Sequence, residues 1–196
     1  GSVVKISEIV ELAKATASVG GLLVVDEAYA EFSSEVSAVT LIAQYPNVIV
    51  IRTMSKAFAF AGARLGYLIA DPAVIDALQL VRLPYHLSAI TQAVAEVALS
   101  FSDELLAGVD TLIAPREIVQ AGLTKLGLTI TPSAANFLLF GGFNQPADQL
   151  WQKLLDRGIL IRDVGLLGQL RVTIGTAAEN QAFLSALTEV LAEGDK

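Results

Sequence analysis

Two clusters of polar residues follow short apolar runs, and they are the parts of this sequence best suited to chemistry. Residues 26–29 (DEAY) come directly after the apolar run 22–25, and residues 52–56 (RTMSK) come directly after the apolar run 48–51. Ligands of open α/β sheets bind outside the carboxyl ends of the strands. If both apolar runs are strands, we expect the two clusters to lie at one ligand-binding edge.

The second cluster and the residues after it combine two hydroxyls with two cations beside glycines. The four side chains are Thr53, Ser55, Lys56 and Arg64. This set is suited to holding a phosphate group while keeping an amine nearby. Lys56 stands among Met54, Phe58 and Phe60, and partial desolvation there would leave a fraction of it as the free amine that a Schiff-base nucleophile requires. Asp26 would then pair with a protonated ring nitrogen of a cofactor.

Taken singly, each of these residues has an ordinary structural explanation. An aspartate at a strand end is commonly a turn or helix cap, and a tyrosine such as Tyr29 is commonly a packing residue. An arginine such as Arg64 commonly forms a surface ion pair of little energetic value. Only the joint occurrence of Asp26, Tyr29, Lys56 and Arg64 at ordered strand ends favours a functional interpretation.

The composition is that of a folded chain with a large core. The 196 residues are 54% hydrophobic, and a chain of this length needs no disulfide or metal to fold. The mean hydropathy of +0.60 is high. However, the longest uncharged stretches are interrupted by polar residues, proline and glycine, so no membrane-spanning helix is predicted. The excess hydrophobicity is therefore expected in a core or in a partner interface.

Charge and residue usage exclude several classes of partner. The net charge of −7 argues against binding to a nucleic acid. The absence of cysteine and the presence of one histidine exclude disulfides and the common metal sites. The first residues show no basic segment followed by an apolar one, so no secretory signal is predicted. We expect a cytoplasmic protein without a metal.

Hydrophobic periodicity predicts two successive α/β regions. In the first, a helix is expected over residues 7–16 with Ser7 as its cap, and strands at 22–25 and 48–51 are expected to be parallel and buried on both faces. A third strand at 65–70 and helices at 73–81, 87–101 and 103–126 follow. The second region has predicted strands at 128–131, 136–140, 159–162 and 171–174 and helices at 146–156 and 179–191. The domain boundary is expected inside the 103–126 helix.

The motifs closely resemble those of a known enzyme family. VVDEAYAEF at 24–32 and RTMSKAFAFAGARLGY at 52–67 resemble the fold-type I aminotransferases that use pyridoxal phosphate (PLP), and among them the histidinol-phosphate aminotransferases. The similarity continues in the same order through VRLPYHLSAITQA, SAANFLLF, GILIRDVG and LRVTIGT, and the first of these resembles the actinobacterial branch. The resemblance implies an α/β fold. Residues 1–110 would be part of the large PLP-binding domain, with a mainly parallel sheet and helices, and residues 111–196 the small C-terminal α/β domain.

The resemblance also implies a role for each candidate residue. Lys56 would form the Schiff base with PLP and move the substrate proton, Asp26 would bond the pyridinium nitrogen, and Tyr29 would donate to the phenolic oxygen. The cofactor phosphate would be held by Thr53, Ser55 and Arg64. Arg162 and Arg171 would bind the anionic end of the substrate, because a guanidinium accepts either a phosphate or a carboxylate with two parallel hydrogen bonds.

The implied reaction is transamination between histidinol phosphate and 2-oxoglutarate in histidine biosynthesis, carried out by a homodimer. Several family motifs that complete the PLP site are absent from these residues, among them the glycine-rich phosphate loop and the N-P-x-N-P-[ST]-G motif. We therefore expect this chain to be a fragment with weak or no activity alone. The alternatives are another fold-type I aminotransferase, a relative of threonine-phosphate decarboxylase, or a non-catalytic domain.

Overall fold

The computed structural model describes residues 1–194, which divide into two compact units. One unit comprises residues 3–109, and the other combines residues 1–2 with the chain from Asp110 onward. The division falls inside the long helix α4 (Ser102–Lys125). No helix in the described part of the chain is long and apolar enough to cross a membrane.

The unit of residues 3–109 contains a three-stranded sheet and three helices. Its elements are α1 (Ile6–Ala17), β1 (Leu23–Asp26), β2 (Val48–Thr53), β3 (Gly66–Ile69), α2 (Pro72–Gln79) and α3 (Ala89–Ser100). The strand order is β1-β2-β3, in which β1 is parallel to β2 and β3 is antiparallel to β2. The predicted parallel pairing of the first two strands is confirmed.

Helix α1 packs its apolar stripe on β2. Ile9 and Ala13, one turn apart, share a buried cluster with Val48 and Val50 of β2. The helix begins after Lys5, whose backbone N–H donates to the Glu8 carboxylate at 2.8 Å. The predicted Ser7 cap is wrong, because Ser7 lies one residue inside the helix and Glu8 satisfies the exposed N–H instead.

Burial in this unit is uneven. In β2 the residues Val48, Ile49 and Val50 are buried, whereas Val24 in β1 is 55% exposed. The prediction that β1 is buried on both faces is therefore wrong. Helix α3 buries only Ala95 among its residues and leaves Ile90 with 77% of its surface exposed. These segments therefore carry more apolar side chains than the described part of the chain buries.

The second unit is an antiparallel sheet covered by helices. Its elements after α4 are β4 (Thr129–Thr131), β5 (Phe137–Gly141), α5 (Ala147–Leu155), β6 (Arg162–Asp163), β7 (Gln169–Thr173) and α6 (Ala177–Gly194). The strand order is β4-β5-β7-β6, and every adjacent pair is antiparallel. The strands and helices predicted for the second α/β region are all present, although β6 is two residues long and begins where the predicted strand ends.

The core of this unit is continuous. Leu138 and Phe140 from β5, Leu170 from β7, Leu154 from α5 and Leu187 from α6 are all buried in one cluster. At its edge, the Trp151 indole N–H donates to the Ile161 carbonyl at 2.9 Å.

A glycine at the end of β5 permits a close backbone approach to the turn before β7. A Cβ placed on Gly141 would lie 2.6 Å from the carbonyl oxygen of Gly168. No side chain fits that distance without a shift of the backbone.

Candidate active site

The first two strands bring the predicted polar clusters to one edge of the sheet. Asp26 is the last residue of β1 and pairs in register with Ile51, and Thr53 is the last residue of β2. The Asp26 carboxylate is exposed and accepts the backbone N–H of Ala28 at 3.0 Å, which fixes its direction beyond the strand. Because β1 and β2 are parallel, the residues that follow them leave the sheet on the same side.

Tyr29 and Lys56 meet beyond the strand ends. The Lys56 Nζ lies 5.4 Å from the centre of the Tyr29 ring, within cation–π range. The two residues come from different loops, one after β1 and one after β2, so the parallel pairing is what brings them together. The structure therefore places an amine, a phenol and the Asp26 carboxylate at one edge of the sheet.

The turn after β2 is held by its own hydroxyl. Thr53 Oγ1 donates to the Leu65 carbonyl at 3.2 Å and accepts the Ser55 N–H at 3.1 Å. Met54 and Phe58 are buried and anchor the turn, but the Lys56 side chain between them is exposed. The expected desolvation of Lys56 by its apolar neighbours is therefore wrong for this chain, because Met54 and Phe58 are buried whereas Lys56 is exposed.

The loop between Lys56 and β3 has a strained backbone. Ala59 and Arg64 both have positive φ angles, 51° and 55°, in a region that residues with a side chain seldom adopt. Arg64 is exposed, and its Nη1 donates to the Ala61 carbonyl at 3.1 Å. Such strain persists only where the surrounding contacts enforce it, and it is concentrated at functional sites.

In the second unit, the two predicted substrate arginines are cross-strand neighbours. Arg162 in β6 is paired in register with Arg171 in β7. Residues opposite each other on antiparallel strands point to the same face, and like charges in this arrangement destabilise a sheet. An anion bound between the two guanidinium groups would remove that repulsion.

Arg171 is the more enclosed of the pair. Its guanidinium carbon lies 4.6 Å from the centre of the Phe137 ring, and its Nε is buried without a hydrogen-bond partner. Arg171 and Phe137 line a cavity of about 270 Å³ together with Ser133 and Val164. The guanidinium of Arg171 contributes a positive charge to the lining of this cavity. The cavity therefore favours an anion.

The described residues contain no group of His, Asp or Glu side chains arranged to hold a metal ion. The single histidine, His86, is exposed, and its Nδ1 lies 3.3 Å from Arg82 Nη2. It lies in the loop before α3 and takes no part in either polar cluster.

Comparison with known proteins identifies the family. The family model for aminotransferase class I and II matches residues 1–187. The chain belongs to this family. It is 63% identical over 172 residues to the histidinol-phosphate aminotransferase of Mycolicibacterium smegmatis and 60% identical over 175 residues to that of Nocardia farcinica. These matches cover 87% and 89% of this chain but 45% of each relative, so the chain spans less than half the length of these relatives.

Solved structures of aminotransferases have the same fold. The histidinol-phosphate aminotransferase of Sinorhizobium meliloti, in complex with pyridoxal-5'-phosphate, matches 98% of this chain with a TM-score of 0.86 and 31% identity, over 54% of its own length. That of Clostridium acetobutylicum matches 98% of this chain with a TM-score of 0.89 and 25% identity, over 61% of its length. The expected fold, a fold-type I aminotransferase α/β fold, is confirmed.

Sequence reasoning in this aminotransferase segment missed two charged residues that stand beside the predicted ones. Glu27 follows Asp26, Arg52 precedes Thr53, and the two side chains form an ion pair of 2.7 Å. A detectable signal was present: opposite charges stand at equivalent places after two strands predicted to be parallel neighbours.

Proposed function

We propose that this chain is the lysine-bearing part of a PLP-dependent aminotransferase that transfers an amino group between histidinol phosphate and 2-oxoglutarate in histidine biosynthesis. The names of the relatives at 63% and 60% identity support the reaction and the substrate. The observation that carries the proposal is the convergence of Lys56 with Tyr29 at the edge of the sheet where Asp26 ends β1.

The side chains at this edge fit PLP by their chemistry. The Asp26 carboxylate suits a protonated pyridine nitrogen, the Tyr29 phenol suits an oxygen substituent, and the Lys56 amine suits an aldehyde. A phosphate would be held by the hydroxyls of Thr53 and Ser55 and by the Arg64 guanidinium. Asp26, Lys56 and Arg64 are all exposed, so a ligand can reach them.

Each of these side chains would then have a definite role. Bound PLP supplies an electron sink for the carbanion that forms when the substrate α-carbon loses a proton. The Lys56 amine binds the cofactor and, once released, accepts that proton and returns it. Asp26 keeps the ring nitrogen protonated. Tyr29, 5.4 Å from the Lys56 nitrogen, donates to the phenolic oxygen and limits where the amine can move.

In the second unit, Arg162 and Arg171 would bind the anionic end of the substrate. The repulsion between these paired residues and the unpartnered Nε of Arg171 support this assignment. Histidinol phosphate carries a phosphate and glutamate a carboxylate, and both match the planar donors of a guanidinium. The same pair can therefore serve both halves of the reaction.

The remaining elements of the proposal concern the whole protein. Because the chain spans 45% of the relatives it matches, we expect it to have little turnover by itself and the complete protein to be active. Exposed apolar residues such as Val24 and Ile90 support a homodimer or another covering chain. A cytoplasmic location is consistent with the small phosphorylated substrates.

The cofactor part of the proposal can be tested on this chain. The chain is incubated with PLP and reduced with borohydride, and the adduct is located by peptide mass spectrometry. We expect a stoichiometric adduct on Lys56 that is lost in Lys56→Ala and retained in the control variant Lys125→Ala, whose lysine is exposed at the end of α4. Labelling spread evenly over all lysines would contradict the proposal.

The substrate part requires the complete protein. We expect rapid amino transfer from histidinol phosphate to 2-oxoglutarate and no release of carbon dioxide from phosphothreonine. Decarboxylation of phosphothreonine would instead favour the alternative reaction. The structural likeness to the L-threonine-O-3-phosphate decarboxylase of Porphyromonas gingivalis, at 24% identity, shows the fold alone.

A further inference from the structure

Glu27 and Arg52 form a partly buried ion pair at the ends of β1 and β2, next to the proposed cofactor residues Asp26 and Thr53. Arg52 Nη2 and Nε donate to one oxygen of the Glu27 carboxylate at 2.7 Å and 3.1 Å. The Glu27 side chain is 10% exposed and that of Arg52 21%. Burial alone would lower the pKa of Arg52, but the hydrogen bond and the charge of Glu27 hold it above its ordinary value. The Arg52 guanidinium is therefore held on the Glu27 carboxylate by two hydrogen bonds.

The Glu27 carboxylate also holds a third segment. Ser37 Oγ donates to the same oxygen at 2.8 Å, and the Ala38 N–H donates to the other oxygen at 2.6 Å. Arg52 Nη2 reaches Ser37 Oγ at 3.0 Å, and Nη1 lies 3.6 Å from a Glu31 carboxylate oxygen. The loop after β1, the end of β2 and the turn at 37–38 are thus tied to one carboxylate.

The pair lies on the opposite face of the sheet from Asp26 and Thr53. Asp26 is in register with Ile51, and the Glu27 N–H donates to the Ile51 carbonyl at 2.9 Å, so the ladder continues by one residue. Successive side chains of a strand point to opposite faces. Glu27 and Arg52 therefore share one face, and Asp26 and Thr53 point to the other.

We propose that Glu27 and Arg52 are positioning residues for the cofactor site, an inference that rests on the proposed function. The ion pair fixes the relative position of the two loops, one carrying Asp26 and Tyr29 and the other carrying Ser55 and Lys56. Neither residue touches the cofactor. Their effect is to keep the carboxylate and the amine at a constant separation, which the ring of PLP must span.

The experiment uses PLP labelling of this chain and compares single with double variants. Glu27→Gln keeps the shape of the side chain but leaves Arg52 without its charged partner. We expect labelling of Lys56 at limiting PLP to fall by roughly tenfold or more, because small misplacements of reacting groups have effects of this size. Glu11→Gln, which breaks the exposed Lys14–Glu11 pair in α1, is the control and should label like the parent chain.

The double variant Glu27→Leu/Arg52→Met separates positioning from stability. Replacing both members of a buried pair by apolar residues commonly restores stability that a single substitution loses. If the pair positions the site, the double variant regains thermal stability, but its Lys56 labelling stays low. Recovery of labelling together with stability would overturn the proposal and assign the pair a structural role only.

Amide hydrogen exchange gives a readout that does not depend on PLP. The Ala28 N–H is bonded to the Asp26 carboxylate, so its protection reports how firmly Asp26 is held. We expect faster exchange at Ala28 in Glu27→Gln and in the double variant, and unchanged exchange in Glu11→Gln. Unchanged exchange in Glu27→Gln would overturn the positioning role. Failure of the parent chain to label Lys56 would count against the cofactor proposal, and exchange at Ala28 would still decide whether the pair holds Asp26.

Discussion

The two units of this chain differ in how completely their apolar side chains are buried. In the unit formed with residues from 110 onward, helices α4, α5 and α6 and strands β5 and β7 contribute to one cluster of buried side chains, including Leu138, Leu154 and Leu187. In the unit of residues 3–109, α1 packs on β2, but α3 exposes Leu99 and β1 exposes Val24. The difference shows that apolar composition alone does not create a core. A segment is buried only if another element packs on it.

The candidate functional residues are divided between the two units without regard to how complete the core is. The unit with the less complete core carries Asp26, Tyr29 and Lys56, and the unit with the continuous core carries Arg162 and Arg171. The proposed cofactor residues lie at strand ends and in loops, where Asp26 and Lys56 are exposed, whereas Arg171 lies in the middle of the packed strand β7. We therefore expect the arginine pair to be formed in this chain whatever else the chain binds.

The largest expected difference concerns two leucines on helices. Leu187 in α6 is fully buried and Leu99 in α3 is 54% exposed. We expect Leu187→Ala to lower the free energy of unfolding by about 2–5 kcal/mol and Leu99→Ala to change it by less than about 0.5 kcal/mol. Chemical denaturation followed by circular dichroism measures both. Equal losses would show that α3 is covered in solution, for example by a second copy.

A second comparison uses two asparagines that tie loops to helices. Asn180, 7% exposed, accepts the Gly175 N–H and donates to the Gly175 carbonyl, both at 3.0 Å. Asn47, partly exposed, donates to the Ala13 carbonyl at 2.9 Å and to Thr16 Oγ1 at 3.0 Å. Replacing Asn180 by Ala leaves the partly buried N–H and C=O of Gly175 without this partner and should cost about 1–3 kcal/mol.

Asn47→Ala should cost less than Asn180→Ala, because the Ala13 carbonyl still accepts the Thr16 hydroxyl at 3.1 Å, whereas both bonds from Asn180 to the Gly175 backbone are lost. The same denaturation measurement applies to both variants. A larger loss of stability for Asn47→Ala would mean that the hydrogen bonds between Asn47 and α1 are better shielded from water than the partial exposure of Asn47 indicates.

A smaller effect, of opposite sign, is expected at the arginine pair. Arg162→Gln removes the repulsion with Arg171 and should raise the free energy of unfolding by about 0.2–1 kcal/mol in a buffer without phosphate. Added phosphate should stabilise the parent chain more than this variant. Arg157→Gln, which removes an equal charge from an arginine that contacts Glu193, is the control and should show no gain. Destabilisation by Arg162→Gln would contradict the anion-binding assignment.

The smallest effect is a pH dependence at the start of α6. The Thr176 backbone N–H and hydroxyl donate to the Glu179 carboxylate at 2.7 Å and 2.8 Å and lower its pKa below the ordinary value of 4.5. A depressed folded-state pKa contributes stability above the ordinary pKa, and this contribution is lost as the pH falls through the lowered value.

The matching variant is Glu179→Gln, which should remove that part of the acid dependence. Thermal unfolding between neutral pH and pH values below 4.5 measures the difference between the parent chain and the variant. Glu117→Gln removes the same charge from an exposed position in α4 and is the control. An identical acid profile for the parent chain and Glu179→Gln would contradict the role of the Thr176 hydrogen bonds.

Much of the fold follows from local patterns in the sequence. The parallel pair β1 and β2 is set by two short apolar runs that end in polar residues, and the helices after residue 70 follow from their 3.6-residue period. The exposure of Val24 did not follow, because burial depends on what packs against a strand and not on the strand's own residues. The cap of α1 was misplaced because Ser7 has the usual residue type, while Glu8 makes the bond.

For the candidate site, the sequence predicts which residues follow the two strands but not the geometry in which they meet. Asp26 and Lys56 were found from their places after two strands. The pairing of Arg162 with Arg171 depends on the register of β6 and β7, which the turn between them fixes and no periodicity reveals. The exposure of Lys56 depends on which side of a turn each side chain takes. The roles of the candidate residues themselves remain predictions that the labelling experiments address.

The glycine at the end of β5 restricts how this sequence can vary. Any side chain at position 141 would displace the Gly168 carbonyl, and the next residue, Gln169, begins the strand that carries Arg171. A substitution at position 141 would therefore shift Arg171 relative to Arg162, although residue 141 is paired with Gln169 and not with Arg171. If Arg171 binds the anionic end of the substrate as proposed, position 141 should stay glycine in related sequences that use the same substrate.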